Sequence, residues 1–373
     1  MQFATIPEHQ ALKQNLIHAA ASGKVAHAQI FIGSLGSAHL ALALAFATYL
    51  NCTAPSAADS CGTCGSCSSM AQCTHPDVHF VFPGKRSGEE AENQIETINL
   101  FRICLKNNPF LTLEEWTQAL HSDSKQCQIT RGAVARIIQS IGLKTFGGRY
   151  KIVLIWLPEY MNTAAANALL KTLEEPPAGT IFLLVGIDRG KILPTIASRT
   201  QQRIVPDFSD QAIQQLLQCR HPDLSPTKVS AIAFLAEGNI AKAHALSEET
   251  VTDSFECFSS WMRSCYSSNF IQIIAQSEAF HATPTDAQKR FFSYGLQLIR
   301  ATLLSRYTPY ILQTLSKTEA LFSQKFGQTV TVTQLRAMVP LFTQACACLE
   351  RNANAKMVYT HTSIQLAKLF KSC

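Results

Sequence analysis

Cys52, Cys61, Cys64 and Cys67 follow one another with eight, two and two residues between them. Thiolates so spaced can converge on one divalent ion, and Gly62 and Gly65 lie where tight turns would let them do so. A tetrahedral shell of four sulfurs is that of structural zinc; it leaves no position for water and is closed and non-catalytic. Cys73 and His75 stand close enough to substitute for one ligand and rank second. A set of free thiols is the bland reading of the same spacing.

A second group of residues suits phosphate. An apolar run from Ala28 to Ile32 ends in Gly33-Ser34-Leu35-Gly36-Ser37, and an Ala/Leu-rich helical pattern then runs from about His39 to Leu50. Strand, glycine loop and helix is the order of a phosphate-binding unit, although such glycines also simply make the turn. The same alternation recurs further on: a buried strand over Lys151 to Leu157, an amphipathic helix over Asn162 to Glu174 stopped by Pro176-Pro177, and another buried strand over Thr180 to Val185. Strands alternating with helices predict a parallel sheet covered on both faces. After about Pro206 strand signals cease, and helices are expected at Asp210 to Gln218, Pro226 to Ala236, Ile240 to Glu248, Phe255 to Tyr266, Ala287 to Tyr307 and Thr333 to Glu350. The polar stretch Pro83 to Asn93 reads as a loop.

The 373 residues exceed one ordinary domain, and 47% hydrophobic with 16% charged residues describes a folded chain. No apolar run reaches membrane-spanning length, and Met1 to Gln14 lacks the apolar core of a signal peptide, so a cytoplasmic address is expected. Thirteen cysteines, four clustered and the rest scattered through apolar segments, fit a reducing compartment. The net charge of +6 allows nucleic-acid contact without demanding it. No Lys or Arg occurs from Val25 to His79, which disfavours a zinc-dependent DNA-binding loop.

With a cysteine loop following the first helix of a P-loop-like unit, the chain resembles the clamp-loader family of AAA+ proteins. The likeness covers His27-Ala28, Asn51-Cys52, His75-Pro76-Asp77, the string Asn-Thr-Ala-Ala-Ala-Asn-Ala-Leu-Leu-Lys-Thr-Leu-Glu-Glu-Pro-Pro at 162–177, and Leu193 to Arg199. The string is the most specific part. It implies an α/β plus all-α chain in three parts: an AAA+ domain at 1–206 with a parallel sheet and helices on both faces, a helical lid at 207–252 and a helical collar at 253–373. The first part would hold a zinc loop at about 52–75 and an insertion at about 78–129.

Within that family the phosphate-binding residues separate motor subunits from a non-hydrolysing partner of the delta-prime type, found in the bacterial DNA polymerase III holoenzyme. A working loop needs Gly-Lys-Ser/Thr, since the lysine neutralises the phosphates and the hydroxyl holds magnesium. Ala38-His39-Leu40 stand there instead. Trp156 and Leu157 replace the Asp-Glu pair of the second motif, and Glu159, three residues past the Trp, reads as solvated surface. The loop of Gly33, Gly36, Ala38, His39 and Leu40 is therefore degenerate; no bound ATP and no hydrolysis by the chain itself are expected, with an active gamma/tau-like ATPase as the rival.

The resemblance gives Ser198-Arg199 the place of a serine-arginine pair whose arginine reaches the nucleotide of a neighbouring subunit; an ordinary ion pair at the sheet edge is the alternative for Arg199. Gly238 to Ala243 falls where motor subunits carry a sensing arginine that is missing in this sequence, and Glu350 to Lys356 resembles a collar segment. Implied partners are the gamma/tau motor subunits, the delta subunit, the sliding clamp and, through the complex, primer-template DNA; no membrane is implied, and the address would be nucleoid-associated. The roughly fifty residues between Asp77 and Ile129 resemble a longer-loop subgroup such as that of the Bacteroidetes. An added surface element without a partner is the bland alternative.

Overall fold

Three predominantly apolar runs build the centre of the fold, because a strand covered on both faces has no solvent side to make polar. The computed structural model describes residues 1–85, 91–121, 127–142, 145–248, 252–307, 312 and 315–371. Helix α1 (Gln10–Ala21) precedes strand β1 (Ala28–Ile32), and helices α2 (His39–Asn51) and α3 (Gly65–Ala71) follow. Then come β2 (Val78–Val81), β3 (Gly84–Lys85), α4 (Ala91–Asn107), α5 (Leu113–Ala119), β4 (Cys127–Gln128), α6 (Arg131–Ile141), β5 (Lys151–Trp156), α7 (Thr163–Glu174), β6 (Thr180–Gly186), α8 (Pro194–Ala197) and β7 (Gln201–Ile204). The rest is helical: α9 (Asp210–Arg220), α10 (Pro226–Ala236), α11 (Ile240–Glu248), α12 (Thr252–Tyr266), α13 (Phe270–His281), α14 (Thr285–Ser305), α15 (Lys317–Thr329), α16 (Val332–Glu350) and α17 (Ala355–Lys371).

Five strands pair in the order β2-β5-β6-β1-β7, all parallel. Every residue of β1, β5 and β6 is buried. Val153, Ile155, Phe182 and Leu184 point to a core shared with α6 and α7. On the sheet, α2 packs against β1, β5 and β6 and also touches α1 and α3, which leaves all its residues buried. The chain thus forms a parallel sheet with helices on both faces, followed in sequence by helical material.

Four strands and several helices go beyond the expectation. Gln201–Ile204 forms the edge strand β7 through bonds to β1, yet its residues are half-buried or exposed and carry no apolar pattern. β2 is a short run holding a histidine. Of the stretch read as a loop at Pro83 to Asn93, Gly84–Lys85 pairs antiparallel with Cys127–Gln128, residues 91–93 open α4, and residues 86–90 lie outside the described residues.

The insertion is no mere surface element. Phe101 of α4 is fully buried, stacks on Phe82 at 4.0 Å between ring centroids, and meets Trp116 of α5 at 5.1 Å and Trp156 of β5 at 5.5 Å. The indole of Trp116 donates to the carbonyl of Pro83 at 2.7 Å. The Thr112 hydroxyl and the Glu115 side chain cap α5 reciprocally.

The chain divides into two compact units, one of 1–220 with 236–244 and one of 221–235 with 245–373. In the second, Phe258, Trp261, Phe292, Phe342 and Tyr359 form an aromatic core, with the Trp261 indole donating to the Ser363 hydroxyl at 2.7 Å.

Trp116→Ala should cost about 3–5 kcal/mol in the urea transition of the first unit, the range for deleting a buried indole. A loss below about 1 kcal/mol would show that the insertion does not share the core.

Candidate functional site

The glycine loop begins where β1 ends. The Gly33 amide donates to the Gly186 carbonyl at 3.2 Å, the Ser37 amide donates to the Ser34 carbonyl at 3.1 Å, and Gly36 takes a φ of +70° that a side chain would strain. Where a phosphate-binding lysine would stand, His39 is buried, its Nδ1 2.8 Å from the Ser37 hydroxyl. Burial pushes its pKa down to about 4, so the ring is neutral near pH 7 and offers no charge to a phosphate.

Residues 239–241 pack against this loop at Gly36. The Ile240 amide, the first of α11, donates to the Gly36 carbonyl at 3.1 Å. The Asn239 carboxamide caps the same helix, accepting from the Lys242 amide at 3.0 Å. A Cβ placed on Gly36 would come within 2.0 Å of Asn239 Oδ1 and 3.0 Å of the Ala241 nitrogen. Ser34 Oγ bonds the Asp207 carboxylate beside it, and the Phe208 amide donates to the Gly238 carbonyl at 3.3 Å.

At the second motif Trp156 and Leu157 are buried, and Trp156 lies against Phe101. Glu159 is not the solvated surface residue expected from its position. It is half-buried, and Oε1 accepts from the amides of Ile187 at 2.7 Å and Asp188 at 3.4 Å. Burial raises its pKa against the pull of those amides, and it braces the end of β6.

The cysteine cluster assembles as its spacing suggests. The sulfurs of Cys52, Cys61, Cys64 and Cys67 all lie within 4.8 Å of one another, and those of Cys61 and Cys67 are 3.9 Å apart. Zinc–sulfur bonds of about 2.3 Å place tetrahedral sulfurs ~3.8 Å apart, so the set fits one ion. Amides of Cys61, Cys64 and Cys67 donate to the sulfurs of Cys52, Cys61 and Cys64 at 3.2, 3.3 and 3.4 Å. Burial would raise the Cys64 pKa, but hydrogen bonds from Thr53 and the Cys67 amide outweigh it and bring the thiol to about 5; burial beside Cys64 pushes Cys67 up to about 12. Four thiolates gathered this closely need a cation between them.

Gly62, at φ +73°, makes the expected turn; Gly65 is an ordinary first residue of α3. Cys73 and His75 are outside the cluster, and His75 Nδ1 accepts from the Asp77 amide at 3.1 Å. The loop is fastened from both sides. The amides of Phe3 and Ala4 donate to the Asp59 carboxylate at 3.1 and 2.8 Å, and the Tyr49 hydroxyl donates to the Ser56 carbonyl at 3.1 Å.

Ser198 and Arg199 connect α8 to the edge strand β7. The Ser198 hydroxyl donates to the Thr195 carbonyl at 3.2 Å. Arg199 is about one-third exposed; its Nε donates to Glu174 Oε1 at 2.5 Å, its Nη2 pairs with the same oxygen, and its Nη1 donates to the Thr195 carbonyl at 3.0 Å.

A sequence signature described as "DNA polymerase III, delta subunit" matches residues 8–209, more than half of the chain. The chain belongs to that family. Among relatives of the family, the DNA polymerase III subunit delta′ of Pseudomonas aeruginosa is 32% identical over 228 residues, 61% of this chain and 58% of the relative. The delta′ subunit of Escherichia coli is 27% identical over 234 residues, 62% of this chain and 58% of the relative. The match therefore spans less than two thirds of either relative. The subunit tau of Escherichia coli is 25% identical over 253 residues, 67% of this chain and 33% of the relative. A gamma subunit-related protein of Thermotoga maritima aligns over 97% of this chain and all of its own length, with 14% identity and a TM-score of 0.42.

Sequence reasoning missed Asn239 and Ile240 at the loop and Glu174 at the arginine. Glu174 stood in plain view within the specific string, but nothing in the sequence joined it to Arg199, 25 positions on.

Proposed function

We propose that this chain is the non-hydrolysing, delta-prime-type subunit of a DNA polymerase III clamp loader. It would assemble with gamma/tau motor subunits and a delta subunit and support loading of the sliding clamp on primer-template DNA, at a cytoplasmic, nucleoid-associated address. Residues 207–252 would serve as the lid and 253–373 as the collar of a heteropentamer. No helix among the described residues is long and apolar enough to cross a membrane.

The observation that carries the reading is the bond from the Ile240 amide to the Gly36 carbonyl, with Asn239 over the glycine, where a bound triphosphate would need that loop free. A neutral His39 and a buried Trp156 add no charge for phosphate or magnesium. Phosphoryl transfer depends on positioned charge, so the rival reading as a tau-like ATPase has no groups to carry it. Arg199, charged and at the sheet edge beside Ser198, supports the role of an arginine supplied in trans to a neighbour's nucleotide, a contribution worth on the order of 10³ to 10⁵ in rate.

Cys52, Cys61, Cys64 and Cys67 would hold zinc, which supplies cross-linking and no chemistry of reaction. Their loop joins the N-terminal residues to the sheet domain through Asp59.

Arg199→Ala in the reconstituted loader should leave assembly intact and cut turnover at the adjoining ATPase site by about 10³. Unchanged clamp-stimulated hydrolysis would contradict the trans role. Elemental analysis should find one zinc per chain, and its removal by chelation should lower the melting temperature of the first unit, because site formation and folding are linked. Melting that ignores the chelator would count against a structural ion.

A further inference from the structure

The trans role proposed for Arg199 leaves open how a long, single-bonded side chain keeps its aim. We propose that Glu174 is the positioning residue for Arg199, fixing the guanidinium plane before any neighbour arrives; this rests on the reading of Arg199 as an arginine supplied in trans.

Three of the five guanidinium N–H bonds are committed within the chain: Nε and Nη2 to Glu174 Oε1, and Nη1 to the Thr195 carbonyl. Those contacts come from two separate elements, the last residue of α7 and the second residue of α8. Three bonds from two directions determine both the position and the tilt of a planar group. The two N–H bonds that remain belong to a side chain about one-third exposed, so a phosphate oxygen can reach them. Glu174 is the last residue of α7, just before Pro176-Pro177 and beside Leu173, which is buried in the sheet core.

Stability gives little reason for the pair, since half-exposed ion pairs add little to folding. Orientation gives one. An unrestrained arginine surrenders rotamer freedom when it binds, and immobilising it in advance moves that cost out of the catalytic step. The carboxylate also draws off part of the cation's charge, so its two consequences have opposite signs. A device for orientation predicts lost turnover when Glu174 is neutralised, and a latch that merely restrains the arginine predicts a gain.

The test compares Glu174→Gln, Arg199→Ala and the unaltered chain in the reconstituted loader, measuring kcat and KM for ATP, assembly by gel filtration and melting of the free chain. Glu174→Gln should lower kcat at the adjoining site about tenfold with KM held within about twofold, since misplacing a group that acts on the transition state costs rate and not ground-state binding. Assembly and melting should be unchanged. If Arg199→Ala depresses hydrolysis while Glu174→Gln leaves kcat unchanged, raises it, or alters KM alone, the positioning role falls and the trans role stands. If Arg199→Ala itself changes nothing, the trans role falls and takes this inference with it.

Discussion

The carbonyl of Gly36 has an acceptor to satisfy and faces the N-terminus of α11, which has a donor to spare. The bond between them, with Asn239 capping the helix over the glycine, ties the strand-loop-helix unit to residues 238–241 in the first compact unit. A phosphate-binding loop needs a lysine, a hydroxyl and an acid to meet the charge of phosphate and magnesium. On the proposed reading the chain is relieved of that demand, and the substitutions form one set. His39 loses its charge by burial, Trp156 turns a metal-binding position into aromatic packing, and Glu159 spends its carboxylate on the amides of Ile187 and Asp188.

The insertion extends the same logic. Phe82, Phe101 and Trp116 continue the aromatic contact that Trp156 begins, so the residues added between β2 and α6 are covered by the apolar surface that a working second motif could not present. Elsewhere the fold holds its loops with carboxylates. Asp59 gathers the amides of Phe3 and Ala4, and Asp77 gathers those of Phe146, Gly147 and Gly148 at 2.8, 3.0 and 2.7 Å. Burial alone would raise the Asp77 pKa, and the three amides overcome it and hold the carboxyl below its ordinary value. The cysteine loop, which contains Asp59, has its sulfurs gathered within one coordination sphere.

Much of this was legible in the chain. Lys151–Trp156 and Thr180–Gly186 are apolar after their first residue because both faces are covered, and Asn162 announces α7 by capping it, as it does through the Ala165 amide at 2.8 Å. The cysteine spacing fixed the cluster, since all its members lie within sixteen residues of chain. What escaped was of two kinds. Gln201–Ile204 is a strand by virtue of its neighbour β1 and has no pattern of its own. The contacts of Gly36 with Ile240, Arg199 with Glu174 and Phe101 with Trp156 join residues distant in sequence, and residue type alone does not pair a given carboxylate with a given arginine.

Titration of the isolated, zinc-loaded chain with ATP and magnesium, followed by calorimetry, bears most directly on the closed loop. The account predicts no saturable binding up to about 1 mM nucleotide, because a neutral His39 stands where a phosphate-binding lysine is needed. A stoichiometric, magnesium-dependent complex with micromolar affinity would contradict it.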